Sequence, residues 1–236
     1  MSDAGTGNLA VIDIETTGLD PRHDLILELG VVIIDNTLRE VDHRSVLLVT
    51  DSTTAWASRI QQRWNSFIVT TGAAAGSATT RRDDAGLTMA QAMHLDNGLI
   101  ADLLNPCGFL APTDLSNSNR VVSPSRRSGA REIRKFLDEH QITQPVPMVG
   151  SSVRSLDGPF LERHMPKLFS RFNHRTIDAS ALLELARFID PDRHAALTNA
   201  VAPSMHRTVS DCRRSLDFIR AFAVQYGIGD LASPEA

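Results

Sequence analysis

The stretch Asn8 to Asp20, NLAVIDIETTGLD, limits what this chain can fold into more than any other segment. Leu9, Val11, Ile12 and Ile14 describe a buried β-strand, yet Asp13 and Glu15 stand inside it, and acidic residues are depleted from strands. Because strand side chains alternate, the two carboxylates share one face and Ile12 and Ile14 share the other. Two readings are open. The pair is either a frayed strand end in water beside the turn at Thr16, Thr17 and Gly18, or half of a cation site, since burying unpaired charge is costly unless a cation offsets it. The second reading requires further acids elsewhere in the chain.

The surrounding pattern is that of an α/β mixed sheet flanked by helices. Leu25 to Ile34 reads as a second strand and Val41 to Thr50 as a third, joined by a turn at Asp35 and Asn36, which makes an antiparallel three-strand meander. A helix follows around Thr54 to Phe67, with Trp56, Ile60 and Trp64 spaced by four on one face. Thr88 to Leu104 reads as one helix, with Thr88 as N-cap, Gln91 in capping-box position, and Met89, Met93, Leu95, Leu99 and Leu103 as its apolar stripe.

The segments 70–86 and 111–129, rich in Ala, Thr, Ser, Asn and Arg, read as mobile loops. Residues 70–128 therefore read as an insertion carrying one helix. Beyond them come a helix from Gly129 to His140, a strand from Val146 to Val149, a helix entered near Asp157, and a strand from Arg175 to Ile177. Asp178 then caps a helix over 179–189, and a last helix runs from about Thr208 to Tyr226. One domain over 8–227 is expected, with flexible termini at 1–7 and 228–236.

Composition excludes several classes. A chain of 236 residues, 42% hydrophobic and 22% charged, has the make-up of an ordinary globular protein, with no apolar run of transmembrane length and no signal-peptide pattern at its start. A cytoplasmic protein is expected. Cys107 and Cys212 lack zinc-site spacing and suggest no disulfide framework. A net charge of −4 argues against coating long duplex DNA and leaves room for a small anionic substrate held by a few arginines and metal ions. The basic residues are almost all Arg, Lys135 and Lys167 being the exceptions, a bias without functional weight by itself.

Asp157 and Asp211 are the further acids. Asp157 follows a strand through a short Gly-Ser-Ser loop that can bring it to the sheet end near Asp13, and Asp211 lies early in the final helix. His206 precedes Asp211 by five residues, about 140° around a helix, so the two converge if His206 lies in the loop before it. Pro203 and Ser204 favour that turn.

The order Asp-x-Glu-Thr-x-Gly, an Asp after a strand and loop, then His-x-x-x-x-Asp resembles the three motifs of DEDDh exonucleases, matched by Asp13, Glu15, Asp157, His206 and Asp211. The opening stretch, Trp64-Asn65 and His164 to Arg187 further resemble oligoribonuclease. The resemblance spans about 8–67 and 129–226 and implies a ribonuclease H-like fold, a homodimer, and a Mg²⁺- or Mn²⁺-dependent exonuclease that releases 5′-mononucleotides from the 3′ end of short single strands, RNA before DNA.

In the implied two-metal mechanism Asp13 bridges both ions, Glu15 and Asp211 hold the ion that binds the attacking water, Asp157 serves the second, and His206 is the general base. Leu19 and Trp64 match residues beside the terminal bases, each equally readable as a turn or core residue. Ser152 and Arg175 match residues that cap a 5′ phosphate, Arg175 being equally readable as a surface charge. His174 stands where the family has a Tyr contributed across the dimer. Asp178 reads as a helix cap, Glu28 and Asp35 as solvated or structural acids, and Cys212 as a packed thiol. A proofreading-type DNA exonuclease and a catalytically silent binding module are the alternatives.

Overall fold

The computed structural model describes residues 7–71, 85–106 and 119–228. Residues 1–6 and 229–236 of the expected flexible termini, 72–84 and 111–118 of the two polar segments, and Cys107 lie outside these residues. The sheet has six strands. Strand β1 (Leu9–Thr16) pairs antiparallel with β2 (Ile26–Ile34), and β2 with β3 (Glu40–Leu48), which is the expected meander. Strands β4 (Arg120–Ser123), β5 (Val146–Gly150) and β6 (Phe172–Asp178) complete the order β4-β3-β2-β1-β5-β6. The pairs β3–β4, β1–β5 and β5–β6 are parallel. Every residue of β2 is buried, as expected of a strand covered on both faces.

The alternation in β1 sorts the layers. Ile12 and Ile14 pack with Ile133, Phe136 and Leu137 of α4 (Arg126–Glu139) and with Phe160 and Leu161 of α5 (Asp157–His164). On the opposite face Val11 meets Val209, Cys212 and Leu216 of α9 (Thr208–Gln225) and Ala179 of α7 (Ala179–Ile189). Each such buried side chain contributes roughly 1.5–3 kcal/mol relative to exposure. A third cluster joins Leu27 and Leu47 to Trp56, Ile60 and Trp64 of α1 (Asp51–Thr71) and to Leu99, Ile100 and Leu103 of α3 (Leu99–Leu104).

Gly30 sets how closely α9 approaches the sheet. A Cβ built there would lie 2.5 Å from both Cβ and Oγ1 of Thr208, so only a glycine lets the first turn of α9, and with it Asp211, sit this near β1 and β2.

Three expectations are corrected. The single helix over 88–104 is two: the Thr88–Gln91 capping box is present and opens α2 (Met89–Asp96), but Asn97 caps its end and Gly98, at φ 79, turns the chain before α3 restarts. The segment read as an insertion with one helix therefore holds α2, α3 and β4 among its described residues. β4 is only four residues long, too short to stand out within a polar stretch, and gains its place by parallel pairing with β3. Finally α4 begins at Arg126 rather than Gly129, because Ser125 caps it by accepting the Ser128 N–H. Short helices α6 (Pro166–Phe169) and α8 (Pro191–Ala200) complete the described chain. Among the described residues no helix is long and apolar enough to cross a membrane.

Candidate active site

The C-terminal end of β1 presents Asp13 and Glu15 on the face opposite Ile12 and Ile14, toward α9. Asp157 reaches them because the loop 151–156 turns back on itself. Its Oδ1 accepts the Ile14 N–H at 2.9 Å, which ties the start of α5 to β1. Asp178 anchors the same loop: its Oδ1 caps α7 by accepting from Ser180 and Ala181, and takes the Ser152 N–H at 2.9 Å. Asp211 sits in the first turn of α9. His206 lies in the loop just before that helix, in the left-handed conformation at φ 50, so the expected convergence with Asp211 is present.

Asp13, Glu15, Asp157, His206 and Asp211 all line one cavity of about 540 Å³, together with Leu19, Met89, Met93, His94, Leu156 and Phe160. Donor atoms of Glu15, His206 and Asp211 lie within 4.8 Å of one another, while Asp13 and Asp157 adjoin this triad rather than belonging to it. Burial, then Asp157 and Glu15, push the Asp13 carboxyl well above the carboxylate range. Burial, then Asp211 and Glu28, push Glu15 to about 9, against the opposing pull of Arg207. Burial lifts Asp157 to about 7, although the Ile14 N–H favours its ionised form. Carboxyls crowded in this way ionise together only beside a compensating cation, and a set of carboxylate oxygens with one imidazole suits a hard divalent ion.

Several residues that frame the site escaped the sequence reading. Ser204 Oγ donates to both Asp211 oxygens at 2.8 Å and accepts the His206 N–H at 3.1 Å, joining base loop and acid. Glu28 is 1% exposed and forms a two-pronged ion pair with Arg207, whose guanidinium also meets Asp102 of α3 at 2.9 Å. Burial works against the Arg207 charge, but Glu28 and then Asp102 outweigh it and raise its pKa.

Asn97 donates its side-chain amide to the His206 carbonyl, and His94 Nε2 lies 2.9 Å from the Thr16 carbonyl and 3.9 Å from Glu15. Burial lowers the His94 pKa, against the opposing pull of the Thr16 carbonyl. The helices α2 and α3 thus buttress the loop that carries His206. The capping box and apolar stripe marked these helices in the sequence, but nothing local marked their contact with the His206 loop.

The substrate-binding expectations divide. Leu19 lines the cavity and is 78% exposed, free to contact a base. Trp64 does not line it. It is packed in the α1–α3 cluster and stacked on Phe67, so its reading as a base-stacking residue is corrected in favour of core. Ser152 lies in the loop beneath Asp178 and pairs with Ser180, outside the cavity lining. His174 and Arg175 are exposed on the edge strand β6, also outside it. Cys212 is a packed thiol that donates toward the Val11 and Gly30 carbonyls, as expected.

A family model described as exonuclease, RNase T, matches residues 10–83, the segment that holds Asp13 and Glu15. Oligoribonuclease of Photorhabdus laumondii is 28% identical over 209 residues, which cover 89% of this chain and 90% of that protein. Oligoribonuclease of Paraburkholderia xenovorans is 27% identical over 215 residues, covering 91% and 81% respectively. Escherichia coli exonuclease I, solved with zinc and single-stranded DNA, shares the fold with a TM-score of 0.56 at 9% identity. That alignment takes in 94% of this chain, which spans 41% of the exonuclease I chain. With its three motifs gathered at one mixed sheet, the chain is similar over most of its length to oligoribonucleases, over residues 10–83 to the exonuclease family model, and in fold to exonuclease I.

Proposed function

We propose that this protein is a divalent-metal-dependent 3′-to-5′ exoribonuclease that hydrolyses short single-stranded oligonucleotides to 5′-mononucleotides. One observation carries the reading: Asp13, Glu15, Asp157 and Asp211, from three places in the chain, meet His206 in one cavity. Ligand atoms of Glu15, Asp211 and His206 lie within 4.8 Å of one another, and Asp13 and Asp157 complete the acidic set around them. When bound, Mg²⁺ or Mn²⁺ ions neutralise that set and polarise the scissile phosphate.

His206 takes the proton of the attacking water on an imidazole nitrogen. The water oxygen bonds to phosphorus, the bond to the 3′ oxygen of the upstream nucleotide breaks, and that oxygen leaves as a hydroxyl after gaining a proton. Ser204 holds His206 and Asp211 in register, while Leu19 meets the terminal base.

A cytoplasmic homodimer belongs to the same reading. His174 and Arg175 stand outside the cavity of their own chain on the β6 edge, and α7, which follows β6 in the chain, exposes Leu185, Phe188 and Ile189. A second copy seated there would cover that surface and bring Arg175 to a neighbouring site.

The test is hydrolysis of labelled RNA dinucleotide, longer RNA and DNA with added Mg²⁺ or Mn²⁺, with Asp13→Asn as the inactive control. Release of 5′-mononucleotides from RNA by the native chain alone is expected. Faster hydrolysis of long DNA than of RNA would favour a proofreading-type enzyme, and no metal-dependent hydrolysis would leave a binding module.

A further inference from the structure

A groove of about 1040 Å³ opens between the start of α4 and the end of α5 with α6. Arg126, Arg127, Arg131 and Arg134 enter it from α4, and Arg163 and Lys167 from the other wall. Among the described residues no acidic one lines it, in a chain whose net charge is −4. None of the six cations pairs with a carboxylate among the described residues, whereas Arg44, Arg120, Arg207 and Arg213 elsewhere all do.

The sequence of α4 runs against its own helix here. Arg127, Arg131 and Arg134, spaced by four and three, form one stripe of like charge. Arg126 and Arg127 also occupy a first turn that has no acid, where the helix dipole disfavours cations. Opposite, the apolar stripe of Ile133, Phe136 and Leu137 already buries the helix, so core packing does not require these arginines. A local rule broken without compensation inside the fold points to a ligand that supplies it.

The groove and the catalytic cavity share a wall. Asp157 opens α5 at the acidic cluster, Phe160 lines the cavity, and His164, stacked on Phe160 at 5.9 Å, lines the groove. His164 Nδ1 accepts from the Arg126 guanidinium, and the carbonyl of Pro21, from the turn that carries Leu19, lies beside the ring. Along α5 the two sites are about 10 Å apart, so a strand with its 3′ end at the carboxylates reaches the groove within a few nucleotides.

We propose that this groove binds the phosphate backbone of the upstream nucleotides of the substrate, so that the enzyme acts on oligonucleotides longer than two residues with an advantage a dinucleotide cannot obtain. The proposal rests on the exonuclease reading for its orientation. Guanidiniums bind phosphate bidentately and stack on unpaired bases, which suits a flexible single strand. The small lining residues Ser128 and Ala130 leave room for it.

The test uses the full chain and an Arg127→Gln, Arg131→Gln double variant, both positions being exposed and tolerant of glutamine within a helix. Binding of fluorescein-labelled heptauridylate is followed by anisotropy in EDTA across a salt series, and the ratio of kcat/KM for heptanucleotide over dinucleotide is measured with Mn²⁺. For single strands each phosphate contact adds about 0.7 to the slope of log affinity against log salt. The double variant is therefore expected to lower that slope by about 1.4, and the substrate ratio about tenfold.

An unchanged slope, or a ratio equal to that of the native chain, overturns the proposal. Capture of phosphatidylserine vesicles without heptauridylate binding also overturns it and assigns the groove to a membrane surface. Arginine-dependent binding without hydrolysis of either substrate would sink the exonuclease reading and leave the groove in place.

Discussion

The two ends of α5 serve opposite electrostatics. At Asp157 the protein buries carboxyls against one another at a cost, and their pKa values rise because solvent and partner charges are both withheld. At Arg163 and His164, some two turns later, cations gather in an open groove where water screens them and the cost is small. A buried like-charge cluster is tolerated only with a tightly held counterion. A solvated one attracts a weak, exchangeable polyanion, and one strand can meet both.

The sharpest way to break this comparison is Asp13→Asn. Hydrolysis should fall on the order of a thousandfold or more, since several kcal/mol of charge stabilisation are lost. The metal-free protein should nonetheless melt higher, by roughly 0.5–2 kcal/mol. A variant that loses activity and stability together in EDTA would show that the acids are not in conflict. His206→Ala should cost about 10²–10⁴ in kcat with metal affinity read separately by calorimetry. A loss of all metal binding would make His206 a ligand rather than a base.

Gly30→Ala tests the closeness of α9. Forcing a methyl group into Thr208 should destabilise the fold by about 1–3 kcal/mol, with activity falling further than unfolding explains because Asp211 moves with the helix.

A pH series follows from the raised carboxyls. Their folded-state pKa values lie above the unfolded ones, so their contribution to metal-free stability is present below about pH 4 and is lost as pH rises toward the Glu15 value of about 9. In EDTA the Tm should drop by about 5 °C or more between pH 5 and pH 9, and saturating Mn²⁺ should flatten the decline. A Tm that rises with pH in EDTA would contradict the burial argument. The smallest effect is at the open end: Arg127→Gln with Arg131→Gln should change stability by no more than about 0.5 kcal/mol, checked by thermal melts, in contrast to any substitution among the acids.

The sequence alone determined the meander and the last helix, through the alternation in β1, the turn at Asp35 and the loop at Pro203 before α9, and the resemblance of its motifs singled out the five candidate residues. It could not reveal the Asn97–His206, Arg207–Glu28 and Arg207–Asp102 contacts, which join residues far apart in the chain, nor that Trp64 faces the core. A four-residue strand such as β4 and an Arg-rich helix start carry no period long enough to read.

Only the tertiary structure decided which charges meet. Local patterns fix which face a side chain takes, but the sharing of one cavity by Asp13, Asp157 and Asp211, and of one groove by arginines from α4 and α5, depends on how separate elements pack, and no local period encodes that.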